Sequence, residues 1–195
     1  MKKLLIFIAA ALLALTPLYA QDNGMSEDEM MKKWMEISSP GPQHELLAKT
    51  AGEWNTEIKF WLEPGADPMV SNGMQTCEVI NGGRVINEIS HSEMMGMPFE
   101  GHGMTGYDNF RKKYWSTWTD NMATSMMYME GTSDDDGKTI TYNTTMDDPM
   151  IGEKDQPVKF VYRWVDDDKH ILESWHDVGT PKEYKMMEIT YTRKQ

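Results

Sequence analysis

The stretch Trp54-Asn-Thr-Glu-Ile-Lys-Phe-Trp-Leu62 shows the alternation that decides the fold. Trp54, Ile58 and Phe60 fall on one side of an extended chain. Polar residues such as Glu57 fall on the other side. Successive side chains of a β-strand point to opposite faces of a sheet, so this period of two predicts a strand with one buried face and one solvated face.

Ten such stretches between Trp54 and Arg193 are predicted to be strands. Compact turn signals separate them, among them Asn81-Gly82-Gly83, whose residues accept the positive φ angles of a tight hairpin. Because the connections are mostly short, strands that are neighbours in sequence should pair as neighbours in space. The sequence therefore predicts an all-β fold: a single antiparallel up-and-down β-barrel of about ten strands, preceded by short N-terminal helices. A barrel of this size can enclose a ligand.

Residues 1–20 are predicted to be a secretion signal peptide. Lys2 and Lys3 precede an apolar run from Leu4 to Leu15, and Ala20 supplies the small residue expected before the cleavage point. The apolar run is too short to span a bilayer comfortably, so no stable membrane anchor is predicted. We expect cleavage near Ala20 and export to the periplasm or the medium.

The rest of the chain divides into a lead segment and one barrel domain. Residues 21–41 are predicted to be helical or flexible, with a capping box at Ser26-Glu-Asp-Glu29 that opens a helix running to about Ile37. A second short helical segment opens at Pro42. The barrel domain is predicted over residues 42–195.

Charge and cysteine content exclude some classes of partner. The chain holds 31 acidic and 19 basic residues, for a formal net charge of −12. Such a surface repels phosphate backbones, so nucleic acid is not an expected partner. The single cysteine, Cys77, cannot form an internal disulfide, and it is predicted to be buried in its strand. Oligomeric state does not follow from these features.

Several motifs stand in the order of a known family. Over about residues 41 to 194 the chain resembles the bacterial family catalogued as domain of unknown function 1579. The resemblance implies a calycin-like barrel, the architecture of lipocalins, fatty-acid carriers and nitrobindin-like haem barrels, and it implies no established reaction. The motifs that carry it are Gly41-Pro-Gln-His-Glu45, Ala51-Gly-Glu-Trp54, Gly82-Gly-Arg84, Met94-Met-Gly-Met-Pro-Phe-Glu-Gly101, Gly106-Tyr-Asp-Asn109, Trp118-x-Asp120 and Lys185-Met-Met-Glu-Ile-Thr-Tyr-Thr-Arg193.

Polar residues at inward positions predict an interior that is hydrated or occupied. Both faces of the third strand contain polar groups, and one of them carries Glu88 and Ser90. Burying a neutral polar group without a partner costs about 2–7 kcal/mol, and a charge costs more. We therefore expect Glu88 to pair with Arg84 or Arg163, to join an internal network with water, or to contact a ligand.

The predicted function is non-catalytic binding of a small hydrophobic or amphipathic molecule inside the barrel, with no cofactor. Apolar walls would supply burial, and one or two polar groups would fix the orientation of the ligand. Aromatic side chains suit such a lining, although they can equally fill a barrel end. The candidate ligand-binding residues are Trp54, Arg84, Glu88, Tyr107 and Trp118.

A metal or haem site is the first alternative. The chain contains 19 methionines, and thioether sulfur with imidazole suits Cu(I). Methionine also fills irregular gaps in cores, which explains the same residues without a metal. His176 lies near the end of the penultimate predicted strand, where a haem ligand could reach the interior. The candidate metal ligands are His91, Met97, His102, Met104 and His176.

An enzyme is the second alternative. A carboxylate such as Glu88 or Asp120 would then act as a general base on a small substrate. No nucleophile motif, phosphate-binding loop or dinucleotide-binding loop is present in the sequence, so no catalytic residue is predicted.

Overall fold

The computed structural model describes residues 24–149 and 151–195. The secretion signal predicted over residues 1–20 lies outside them. Two helices precede the sheet: α1 (Glu27–Ser38) and α2 (Pro42–Ala48). The chain divides into two compact units after Ser38, so that α2 and all strands belong to the second unit.

Helix α1 begins at the predicted capping box and buries none of its residues. The backbone N–H of Ser26 donates to Glu29 Oε2 at 2.8 Å, and the N–H of Glu29 donates to Ser26 Oγ at 3.3 Å, so the box is confirmed. Large apolar side chains, including Met31 and Trp34, are exposed on this helix. Neither helix of the described chain has the length and apolar character needed to cross a bilayer.

Ten antiparallel strands form one closed barrel, in which each strand pairs with the next along the chain. The first and last strands close the barrel, with Trp54 opposite Arg193 and Phe60 opposite Met187. The predicted up-and-down barrel is thus confirmed. The strands are β1 (Gly52–Phe60), β2 (Met69–Ile80), β3 (Val85–Met94), β4 (Met97–Asp108), β5 (Lys113–Asp120), β6 (Met127–Thr132), β7 (Thr139–Asp148), β8 (Glu153–Asp166), β9 (Lys169–His176) and β10 (Tyr184–Arg193).

The burial of β1 fixes which side of each strand faces inward. Trp54 and Thr56 are buried, whereas their neighbours Asn55 and Glu57 are exposed. Residues directly opposite each other in an antiparallel pair share a face of the sheet, so the register carries this assignment around the barrel. The buried apolar core consists of Leu47, Trp54, Cys77, Ile86, Tyr114, Ile140, Tyr142, Val158, Phe160 and Tyr191.

A plug closes the end of the barrel at which β1 begins. Trp54 is fully buried there, and its Nε1 donates to the carbonyl oxygen of Thr50 at 2.7 Å. The guanidinium of Arg193 lies 4.2 Å from the centre of the Trp54 ring, and it donates to the carbonyl oxygens of Ala51 at 2.9 Å and Lys49 at 2.8 Å. The same arginine therefore ties β10 to the segment that leads into β1. We call this arrangement the closed end.

Candidate ligand site inside the barrel

A connected set of polar side chains lies on the inner wall formed by β2 to β5. Thr105 Oγ1 donates to Glu88 Oε1 at 2.8 Å, and Gln75 Nε2 lies 3.4 Å from Glu88 Oε2. Ser90 Oγ donates to Gln75 Oε1 at 2.7 Å. Thr105 Oγ1 also lies 3.0 Å from Ser116 Oγ, within hydrogen-bonding distance. We call these five residues the polar cluster.

Glu88 forms no ion pair within residues 24–149 and 151–195, so of the alternatives expected for it the pairing with Arg84 or Arg163 is not formed. Arg84 lies in the β2–β3 turn, where Nη1 donates to the carbonyl oxygens of Asn81 at 3.1 Å and Gly82 at 3.3 Å. Arg163 points outward and pairs with Glu173 at 3.2 Å. Burial within the barrel raises the pKa of Glu88, and the hydrogen bond from Thr105 opposes this increase only in part.

Several inward-facing residues of the barrel, in and near the polar cluster, are only partly buried. Glu88, Ser90 and Ser116 point inward and yet are only half-buried. The same holds for the apolar side chains of Leu172 and Ile189, which pack against the core. Because these groups face the inside of a closed sheet, they border the region in which a guest would have to lie.

Strands β8 and β9 form the wall opposite the polar cluster, since β8 is five strands from β3 around the ring of ten. Within the described chain, Tyr162 Oη, Ser174 Oγ, His170 Nδ1 and His176 Nε2 are buried without a hydrogen-bond partner. All four side chains belong to the inward faces of β8 and β9. A buried polar atom without a partner is costly, so these atoms are candidates for contact with water or a ligand.

Neutral groups surround the carboxyl of Glu88. Burial raises the pKa of Tyr142, Tyr162 and Tyr191, and the nearby Glu88 charge raises the pKa of each further. These phenols therefore stay protonated at neutral pH and remain hydrogen-bond donors. Burial also raises the pKa of Cys77 to about 12, which makes its thiol a neutral core group rather than a nucleophile. The predicted burial of Cys77 is confirmed.

Of the five predicted ligand-binding residues, Glu88 and Trp118 share the interior. Trp118 lies across Gly101 and Gly103 on β4, where a Cβ would come within 2.2 Å and 3.1 Å of the indole ring. Its Nε1 donates to Asp120 Oδ2 at 3.0 Å. Glycine at these two positions of β4 thus lets the ring lie flat along the wall instead of crossing the barrel.

The other three predicted ligand-binding residues lie outside this shared space. Trp54 belongs to the plug of the closed end. Tyr107 packs near the same end, 4.9 Å from the ring of Tyr114 and 5.9 Å from the ring of His44, in edge-to-face contacts. Arg84 lies in the turn described above.

The candidate base Asp120 has a local structural role. Its Oδ1 accepts hydrogen bonds from the backbone N–H groups of Met122 at 2.9 Å and Ala123 at 3.0 Å. These bonds hold the loop that follows β5. The second carboxylate oxygen binds Trp118, so both oxygens already have partners within the loop and strand.

The predicted metal ligands do not come together. His91 and His102 lie on the outer surface beside Glu100, with nitrogen–oxygen distances of 3.8 Å and 2.9 Å. Met97 and Met104 are also exposed, whereas His176 faces inward from β9. The described residues contain no group of three or more His, Cys, Asp or Glu side chains that could hold a metal ion.

Sequence reasoning missed several members of the arrangement, among them Gln75, Thr105 and Ser174. Gln75 links Ser90 to Glu88, and Ser174 is completely buried on β9. Polar residues within a strand resemble those of a solvated face, so none of these residues stands out alone. The signal that could have found them is parity, because Gln75 is two residues from the predicted buried Cys77.

We expect Glu88→Gln to stabilise the protein at neutral pH by about 1–3 kcal/mol. Glutamine keeps the shape and can still accept a hydrogen bond from Thr105, but it carries no buried charge. The folded-state pKa of Glu88 is raised, so ionisation of the glutamate destabilises the folded protein as the pH rises above the ordinary pKa of 4.5. The gain should therefore be present at pH 7.5 and vanish below about pH 4.5.

Urea unfolding at several pH values measures this gain. Glu78→Gln is the matched control, because Glu78 lies on the exposed face of β2. A stabilisation of equal size in the control, or one that is independent of pH, would contradict the assignment of a buried, uncompensated carboxyl at position 88.

Comparisons with known proteins support the fold. No curated protein matches the chain. Among solved structures, Rv2717c from M. tuberculosis is similar at 13% identity, with a TM-score of 0.56 over 80% of this chain and 100% of that one. A redesigned β-barrel is similar at 14% identity, with a TM-score of 0.39 over 81% and 100% of the two chains. The likeness to Rv2717c bears on the fold alone.

The family resemblance predicted from motifs is confirmed. The family profile described as "Protein of unknown function (DUF1579)" matches residues 39–193, which contain α2 and all ten strands. The chain therefore belongs to this family of uncharacterised barrel proteins.

Proposed function

We propose that this protein binds a small amphipathic molecule inside its barrel, without catalysing a reaction, after export and cleavage near Ala20. The observation that carries the proposal is the polar cluster, which lies on the inner wall beside accessible apolar side chains. A barrel selected only for stability would gain more from an apolar interior, because buried polar networks contribute less to stability than hydrophobic packing. The cluster is instead suited to orienting a guest.

Apolar and polar parts of the wall would play different roles. Leu172, Met187 and Ile189 are half-buried inward side chains of β9 and β10 that pack against the core. Contact with them would remove apolar ligand surface from water, which stabilises a complex by about 25 cal/mol per Å². Glu88 and its hydrogen-bonded neighbours would fix the polar end of the ligand, as a few placed polar groups do in other pockets.

The proposal predicts that filling the interior weakens binding. Leu172→Trp adds an indole on the inner face of β9, whereas Ile171→Trp adds the same group on its outer face. Nile red, a neutral dye whose fluorescence rises in apolar surroundings, serves as the probe. We expect saturable one-to-one binding to the parent and to Ile171→Trp, with affinity at least tenfold weaker in Leu172→Trp.

Circular dichroism and urea unfolding establish that both variants are folded before the titration. Equal dye affinity in the two variants would place the dye on the outer surface. Absence of saturable binding to the parent would also contradict an interior that admits guests of this kind.

A further inference from the structure

Carboxylates on the inner and outer faces of the barrel have different partners. Glu173, on the outer face of β9, lies 3.2 Å from Arg163 and 3.4 Å from Lys185. Glu88, on the inner face of β3, has hydroxyl and amide neighbours, and none of the described residues forms an ion pair with it. The one carboxylate of the polar cluster therefore lacks the counter-charge that would make its ionised form stable inside the barrel.

From this difference we infer that the ligand is an amphipathic amine whose ammonium group pairs with Glu88. The inference rests on the proposed function, because it assigns the chemical class of the molecule bound inside the barrel. An ammonium supplies the missing positive charge and up to three hydrogen-bond donors. A charge-assisted hydrogen bond to the carboxylate is about twice as strong as a neutral one.

The surroundings of Glu88 favour a cation over the other classes of ligand. Tyr142, Tyr162 and Tyr191 offer phenol oxygens that can accept from an ammonium and ring faces that attract one. An anionic ligand would meet the Glu88 charge inside and a chain with a formal net charge of −12 outside. A neutral ligand would leave the buried carboxylate uncompensated.

The opposite wall provides a second observation that points to an occupant. Ser174 has no exposed surface, faces inward from β9, and its Oγ lacks a partner among the described residues. Tyr162 Oη, on the neighbouring strand β8, is likewise buried without a partner among the described residues. These hydroxyls can hydrogen-bond to a guest that spans the interior from the polar cluster, so the amine end and the rest of the ligand would both find contacts.

Calorimetric titrations with three probes of equal length test the inference: octylamine, 1-octanol and sodium octanoate, at pH 7.5 in 150 mM salt so that surface charges are screened. We expect the parent to bind octylamine at least tenfold more tightly than 1-octanol, and octanoate most weakly. Glu88→Gln should lose the preference for the amine, so that octylamine and 1-octanol bind it with similar affinity. Glu78→Gln, which removes an exposed charge, should behave as the parent does.

The outcomes separate the two ideas. If 1-octanol or octanoate binds the parent as tightly as octylamine, or if Glu88→Gln keeps the preference for the amine, the ligand class is wrong and interior binding stands. If Glu78→Gln loses the preference equally, octylamine binds through the negative charge of the outer surface, and the inference is also overturned. If none of the three probes binds the parent, both the ligand class and the proposed binding of small amphipathic molecules are contradicted.

Discussion

Replacing Trp54 with alanine is expected to lower the free energy of unfolding by about 3–5 kcal/mol. The side chain is fully buried at the closed end, so its removal leaves a large cavity. Two further interactions disappear with the ring: the hydrogen bond to the carbonyl oxygen of Thr50 and the contact with the Arg193 guanidinium. Urea unfolding followed by circular dichroism measures the loss as a lower midpoint of the transition.

Two further variants serve as comparisons for Trp54→Ala. Trp54→Phe keeps a ring in the plug but loses the hydrogen bond, and a smaller loss of about 1–2 kcal/mol is expected. Trp34→Ala removes an indole that is 64% exposed on α1, and the stability should change by less than about 0.5 kcal/mol. If Trp54→Ala leaves the protein nearly as stable as the parent, the plug is not structural, and the predicted role of Trp54 in ligand binding regains support.

The elements of the barrel could be predicted from the sequence because the signals that define them are local. Alternation within a strand and the glycine-containing turn at Asn81-Gly82-Gly83 each depend on a few consecutive residues. In the structure β2 ends at Ile80, directly before this turn. Closure followed from the short connections, since a meander of this many strands brings the last strand back to the first.

The site was harder to predict, because it depends on register between strands. The sequence left open which face of β3 points inward. Pairing decides this, since Gln75 lies opposite Ser90 and Cys77 lies opposite Glu88. Arg84 shows the same difficulty in a turn: it is four residues from Glu88, but its guanidinium hydrogen-bonds to turn carbonyls instead. Local spacing carries no information about either outcome.

Acidification is expected to destabilise the protein through His170, which is buried among the rings of Trp54, Tyr162, Trp164 and Tyr191. Burial and, to a smaller extent, the positive charge of Arg193 together lower the pKa of His170 to about 3. The unfolded chain takes up a proton near pH 6.5, whereas the folded protein does so only near pH 3. The stabilisation from a neutral His170 is therefore complete above pH 6.5 and is lost progressively as the pH falls towards 3.

His170→Phe tests this linkage directly. Phenylalanine keeps a ring in the stack with Tyr191, where the ring centres lie 4.3 Å apart, but it cannot be protonated. Between pH 7.5 and pH 4 the free energy of unfolding of the parent should fall relative to the variant by about 3 kcal/mol. His91→Gln is the control, because His91 is exposed on the outer surface, and its difference from the parent should change much less over the same range. A difference between His170→Phe and the parent that stays constant with pH would mean that His170 takes up its proton at the same pH in the folded and unfolded states, and its place inside the aromatic stack would then be wrong.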